Sequence, residues 1–167
     1  MHFIAREEAK LLEKQLRRQI ADKPKPKLVL HYNSGRRDYS DAARAITQSI
    51  GAFTEATLHF VFCVSGDGWS EGNATDERWS RYRQWRGASG EHRRLYDAPG
   101  HLFAHHEAEL LSRAVEFALR LGWDALVAAK PGRQLLFLSH DDRIEIYRGF
   151  EWRRLTEKLI ALGYWHR

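Results

Sequence analysis

Residues 57–64 read TLHFVFCV, the best strand signal in the chain. β-Branched and aromatic residues run without a break, and Gly66-Asp67-Gly68 ends the run. Ahead of it, residues 28–32 (LVLHY) form a shorter apolar run closed by Asn33-Ser34-Gly35. Between the two, Tyr39, Ala43, Ile46, Ile50 and Phe53 recur at helical spacing, behind a candidate cap at Asp38 or Ser40. Strand, helix and strand in this order predict a parallel β-α-β unit with a right-handed crossover.

Downstream, a helix is predicted over 76–86, with Trp79, Tyr82 and Trp85 or Arg86 on one face. Residues 87–103 read as mostly irregular, with Pro99-Gly100 as a turn. The clearest helix spans 105–121, where Leu110, Leu111, Ala114, Val115, Ala118, Leu119 and Leu121 make a wide apolar face and Gly122 follows as its stop. A strand over 123–129 turns at Pro131-Gly132. Residues 134–139 and 144–147 then pair as a hairpin around His140-Asp141-Asp142-Arg143. A last helix over 150–162 turns Leu155, Leu159 and Leu162 inward.

At the other end, residues 3–21 read as an amphipathic helix with Ile4, Leu12, Leu16 and Ile20 in register. Residues 23–27 (KPKPK) break it, since prolines at this spacing favour an extended linker. The expected organisation is a helical segment at 1–22, a Lys/Pro linker at 23–27, and one α+β domain at 28–167. The first segment is read either as a mobile arm or as a helix docked on the domain or on a second copy. The fold class is α+β, a mixed α/β sandwich. Its sheet is expected to hold about five strands, begin with the β-α-β unit and end in an antiparallel meander, with four to five helices around it.

The chain has 167 residues, 43% of them hydrophobic, enough for a self-supporting core without metal or disulfide. One cysteine, Cys63, excludes an internal disulfide framework and a four-cysteine zinc site. The apolar runs are too short to span a membrane, and residues 1–19 lack the apolar core of a signal peptide, so a cytoplasmic location is expected. The net charge of +5 is unevenly spread: residues 78–94 carry six arginines and one glutamate, with acidic blocks on either side. Such a block either steers an anionic partner or pairs with its acidic neighbours inside the fold.

Several groupings with chemical potential reduce to simpler readings. His101, His105 and Glu109 have the spacing of one helix face, but HExxH is absent and the acids suit a helix start. Asp97 and His101 are close enough in sequence for acid–base work, yet the stretch also reads as an Asx turn. Residues 65–68 (SGDG) match no phosphate loop, and Asp67 would repel a phosphate. Cys63 sits in an apolar strand, where a thiol is packing material. Residues 140–143 suit a hairpin tip as well as a magnesium site.

Residues 69–94 are more informative. They hold Trp69, Trp79, Tyr82 and Trp85 with Arg78, Arg81, Arg83, Arg86, Arg93 and Arg94, and no lysine. Arginine replaces lysine where forked recognition or ring stacking matters, and Arg, Trp and Tyr dominate interface energies. The alternative is that the rings lie in the core with arginines stacked over them. The expectation is a small non-catalytic protein-binding domain of inhibitor, immunity or adaptor type, using this block together with Asp97 and His101. Its partner is expected to present an acidic surface, with self-association through the first helix as a further contact. No cofactor, metal or membrane is expected. A nucleic-acid-binding or processing factor is the alternative, and a metal-dependent hydrolase using Asp97, His101 and His105 the third reading.

Overall fold

The computed structural model describes residues 1–21, 26–32, 38–61, 77–131, 134–148 and 151–166. Within them lie eight strands: β1 (His2–Ile4), β2 (Leu28–His31), β3 (Glu55–Phe60), β4 (Gly100–Ala104), β5 (Ala125–Lys130), β6 (Gln134–Ser139), β7 (Arg143–Arg148) and β8 (Trp165–His166). Five helices accompany them: α1 (Arg6–Ala21), α2 (Tyr39–Ile50), α3 (Glu77–Ala88), α4 (Ala108–Leu121) and α5 (Trp152–Ala161). The α+β class holds, but the sheet has eight strands rather than five. Its order is β1-β4-β3-β5-β6-β7-β2-β8.

Every ladder in this sheet is antiparallel. β2 and β3 do run in the same direction across α2, but β5, β6 and β7 stand between them. The predicted parallel pair is therefore a wide crossover, and the sheet is not mixed. The meander β5-β6-β7 forms as expected, with a register shift at Leu135/Leu136.

Period-two alternation divides the sheet into two faces. Ala125, Val127 and Ala129 of β5, Leu136 and Leu138 of β6, and Leu58 and Phe60 of β3 join the large core beneath α2 to α5. Leu126, Leu135, Val61 and Tyr147 point the other way and meet Leu16 of α1. The N-terminal helix is thus seated on the domain. β1 pairs with β4, Ala9 and Leu16 are buried, and Glu13 reaches the buried His59 of β3 at 3.3 Å. Small residues opposite α1, Thr57 and Ala128, leave a groove of about 860 Å³ that Leu12, Leu16 and Pro131 also line.

Local signals place the start of α2 and the end of α4. Asp38 caps α2: its Oδ1 accepts the N–H of Ser40 at 3.0 Å and of Asp41 at 3.4 Å. Asp38→Ala is expected to lower stability by about 1 kcal/mol, while Asp38→Asn stays near wild type, as urea unfolding would measure. Gly122 ends α4 in the left-handed region at φ 63°.

The predicted start of α4 at 105 moves to 108. The sheet claims residues 100–104 as β4, where Gly100 lies against β1, and His105-His106 make the turn. A Cβ on Gly100 would stand 2.9 Å from the Ile4 Cβ, so the β1–β4 approach requires glycine. The turns at 33–35 and 66–68, Cys63 and most of the linker lie outside the described residues, as does Gly132. No helix among the described residues is long and apolar enough to cross a membrane.

Candidate functional site

α3 presents Trp79, Tyr82 and Arg86 on one face, three and four residues apart, and all three are buried. Trp79 and Tyr82 set their faces and edges against Trp123, at 4.9 and 5.2 Å between centroids. Tyr82 also meets Phe60 and Phe117 at 5.8 and 5.3 Å. These edge-on contacts are the favoured aromatic geometry, so the ring cluster pins α3 to the sheet and to α4.

A chain of hydrogen bonds runs through this cluster. Arg86 Nη1 donates to Tyr82 Oη at 3.0 Å and to the Ala98 carbonyl at 3.0 Å, and Nη2 donates to the Arg93 carbonyl at 3.2 Å. The Tyr82 hydroxyl then gives its own proton to His101 Nε2 at 3.0 Å. His101 Nδ1 carries the ring proton and faces the Leu58 carbonyl at 3.3 Å. This order leaves His101 neutral. Full burial pushes its pKa well below the usual histidine value, and the Arg86 charge pushes in the same direction.

Beyond α3, residues 91–95 fold back over the helix. Glu91 is buried and anchors them. It accepts the Arg93 backbone N–H at 2.8 Å and the Arg93 guanidinium through both oxygens. That fork holds the Glu91 carboxyl below its ordinary pKa. Arg94 forms a second fork with Asp97 at 2.9 and 3.3 Å. Between α3 and this loop lies an open cleft of about 310 Å³. Arg83, Arg86, Arg93 and Arg94 line it, with Trp79 and Tyr82 behind them.

The expected site residues therefore divide. Arg81, Arg83, Arg93 and Arg94 are exposed, Trp85 and Asp97 are half-buried, and Trp79, Arg86 and His101 belong to the interior. The expectation that Trp79 and His101 dock a partner from the surface is corrected: the ring cluster and the Tyr82 hydrogen bond claim them. Trp85 stacks on His101 at 5.8 Å. Trp69 and the Arg78 side chain lie outside the described residues. Arginines of the block pair with carboxylates at the near ends of the flanking acidic blocks, Arg81 with Glu77 and Arg94 with Asp97, and Arg93 pairs with Glu91 inside the block.

Asp97, His101 and His105 do not converge. Asp97 is held by Arg94, His101 is enclosed, and His105 is in an exposed turn. Among the described residues no three His, Cys, Asp or Glu side chains stand together to hold a metal ion.

Two polar pairs have no counterpart in the sequence pattern. Glu13–His59 links α1 to β3. Asp124 Oδ1 accepts both the backbone N–H and the Nδ1–H of His140, at 2.8 and 2.9 Å, which raises the His140 pKa and ties the β6–β7 tip to the start of β5. Both join residues distant in sequence, so no local spacing announces them. No family model, no curated protein and no solved structure matches the chain.

Proposed function

We propose that the chain is a small, intracellular, non-catalytic binding domain of inhibitor, immunity or adaptor type. It takes an acidic segment of another protein into the cleft between α3 and residues 91–95. The observation that carries this reading is the cleft itself, about 310 Å³, lined by the exposed Arg83, Arg93 and Arg94 and by the buried Trp79, Tyr82, Arg86 and Glu91. A partner carboxylate is expected to take over the exposed Arg94 fork from Asp97, since Glu91 holds Arg93 and the interior holds Arg86, and the pre-ordered wall lowers the entropic cost of binding. The single cysteine suits a reducing compartment.

The test uses defined probes. A panel of glutamate- and aspartate-rich peptides is titrated against the protein by fluorescence polarisation, beside a single-stranded oligonucleotide of equal charge. Acidic peptides are expected to bind and to be weakened at least about tenfold by Arg83→Glu or Arg94→Glu. Both arginines are exposed, so each variant is expected to stay folded, with a small loss of stability in Arg94→Glu from the broken Asp97 fork. Peptide affinity unchanged in both variants would remove the cleft from the reading. Tighter oligonucleotide binding, with log affinity falling steeply against log salt, would establish the nucleic-acid alternative instead.

A further inference from the structure

α1 carries an exposed apolar residue on its solvent side. Ala9, Glu13 and Leu16 are buried against the sheet, yet Leu11 is 63% exposed. Leu11 lies in the outward row Glu7, Leu11, Lys14, Arg18, whose steps of four, three and four are the seam spacing of a coiled coil. Gln15, one turn after Leu11, and Leu12 beside it form the lip of the groove between α1 and the sheet. An exposed leucine in a charged row of coiled-coil spacing is therefore contiguous with a groove of mixed polarity, where Gln15, Gln19 and Thr57 stand beside Leu12 and Leu16.

The charge order along this row selects its occupant. Glu7 and Glu8 stand in the first turn of α1, and Arg18 stands in the last. We propose that the outward face of α1 pairs antiparallel with α1 of a second copy of this chain. Leu11 of each copy then packs on Leu11 of the other, and Glu7 of each faces Lys14 and Arg18 of the other. A parallel arrangement sets Glu7 against Glu7, so the charges permit one orientation. Self-pairing uses both signs within one segment, which a uniformly charged partner does not. Glu7 pairs with Lys10 in a highly exposed contact at 2.8 Å, which exchanges without desolvation.

This surface is separate from the arginine cleft and does not depend on it. Two helices of 16 residues bury less than a standard interface, so the expected dissociation constant is weak, roughly 10–1000 µM. Sedimentation velocity over a concentration series up to about 1 mM tests it. Wild type is expected to shift from monomer to dimer. Leu11→Glu is expected to stay monomeric throughout, and Glu7→Lys to weaken association at least about tenfold. The double exchange Glu7→Lys with Lys14→Glu is expected to recover part of the loss, because Arg18 keeps its charge. These positions are exposed, so circular dichroism and melting curves confirm that each variant folds. A wild type monomeric at the highest concentration overturns the proposal. So does a dimer that survives Leu11→Glu, or a double exchange that stays as weak as Glu7→Lys. A monomer that takes up an apolar dye in the groove assigns this face to a small ligand and also overturns it.

Discussion

Arg86→Ala is expected to lower the unfolding free energy by about 3–5 kcal/mol, the cost of removing three hydrogen bonds from one buried charged donor. Arg86 is only 3% exposed. It closes three acceptors at once, the Tyr82 hydroxyl and the carbonyls of Ala98 and Arg93. Truncation leaves those buried carbonyls without donors and opens a gap beneath Phe3, whose ring lies 5.0 Å from the guanidinium carbon. Arg86→Lys keeps the charge but not the planar fork, and is expected to recover less than half of the loss. Urea denaturation with matched m-values measures both. A loss below about 1 kcal/mol for Arg86→Ala would show that the loop at 91–95 closes without it.

His101 sets the second large effect, a dependence of stability on pH. Its folded pKa lies well below the unfolded value of 6.5. Below pH 6.5 the unfolded chain therefore binds a proton that the folded chain refuses. The contribution is fully present above pH 6.5 and is lost as the pH falls towards the depressed folded pKa. The slope is about 1.4 kcal/mol per pH unit in that window. His140 acts in the opposite sense: its raised pKa adds stability that is fully present below 6.5 and fades as the pH rises through the folded value. His140 is largely exposed, so that second slope is shallow. His101→Gln retains an acceptor for Tyr82 and removes the titration. It is expected to flatten the profile between pH 6.5 and about 5, before the carboxylates titrate. An unchanged slope in the variant would place the linked proton elsewhere.

The helices and the meander were legible because their signals are local. α4 shows its whole apolar face in sequence, with Gly122 as its stop, and the strand after residues 140–143 alternates as a half-buried strand does. β4 was not legible. Gly100 and His101 are poor strand residues, and they adopt the strand because β1 and β3 lie on either side. Neighbour order was hidden for the same reason: nothing near residues 28–31 announces β7 or β8 as partners. β1 and β8, at three and two residues, are too short to show a period.

The site was legible as a block but not as a geometry. The sequence groups Trp79 and Tyr82 with Trp85 or Arg86 on one face of α3, but it does not say whether that face turns inward. The ring cluster decides this, and most of its members come from β3, α4 and the residues after it. The cleft further requires Glu91, which resembles an isolated acid in a basic stretch. Its burial against Arg93 becomes evident only with the fold.

The strand order has a consequence for how the sheet is completed. The meander β5-β6-β7 closes through short connections, and contacts between sequence neighbours form at little entropic cost. β2 must wait, because Leu28 finds its place only opposite Ile146. β1 likewise waits for β4, where His2 meets Leu102. During synthesis, the first strands to leave the ribosome thus remain unsatisfied edges until much later segments emerge. The meander is a template onto which earlier chain is added, and its slowest steps are the long-range ones. The two earliest strands, β1 and β2, thus lie toward opposite edges of the sheet, with the later meander between them.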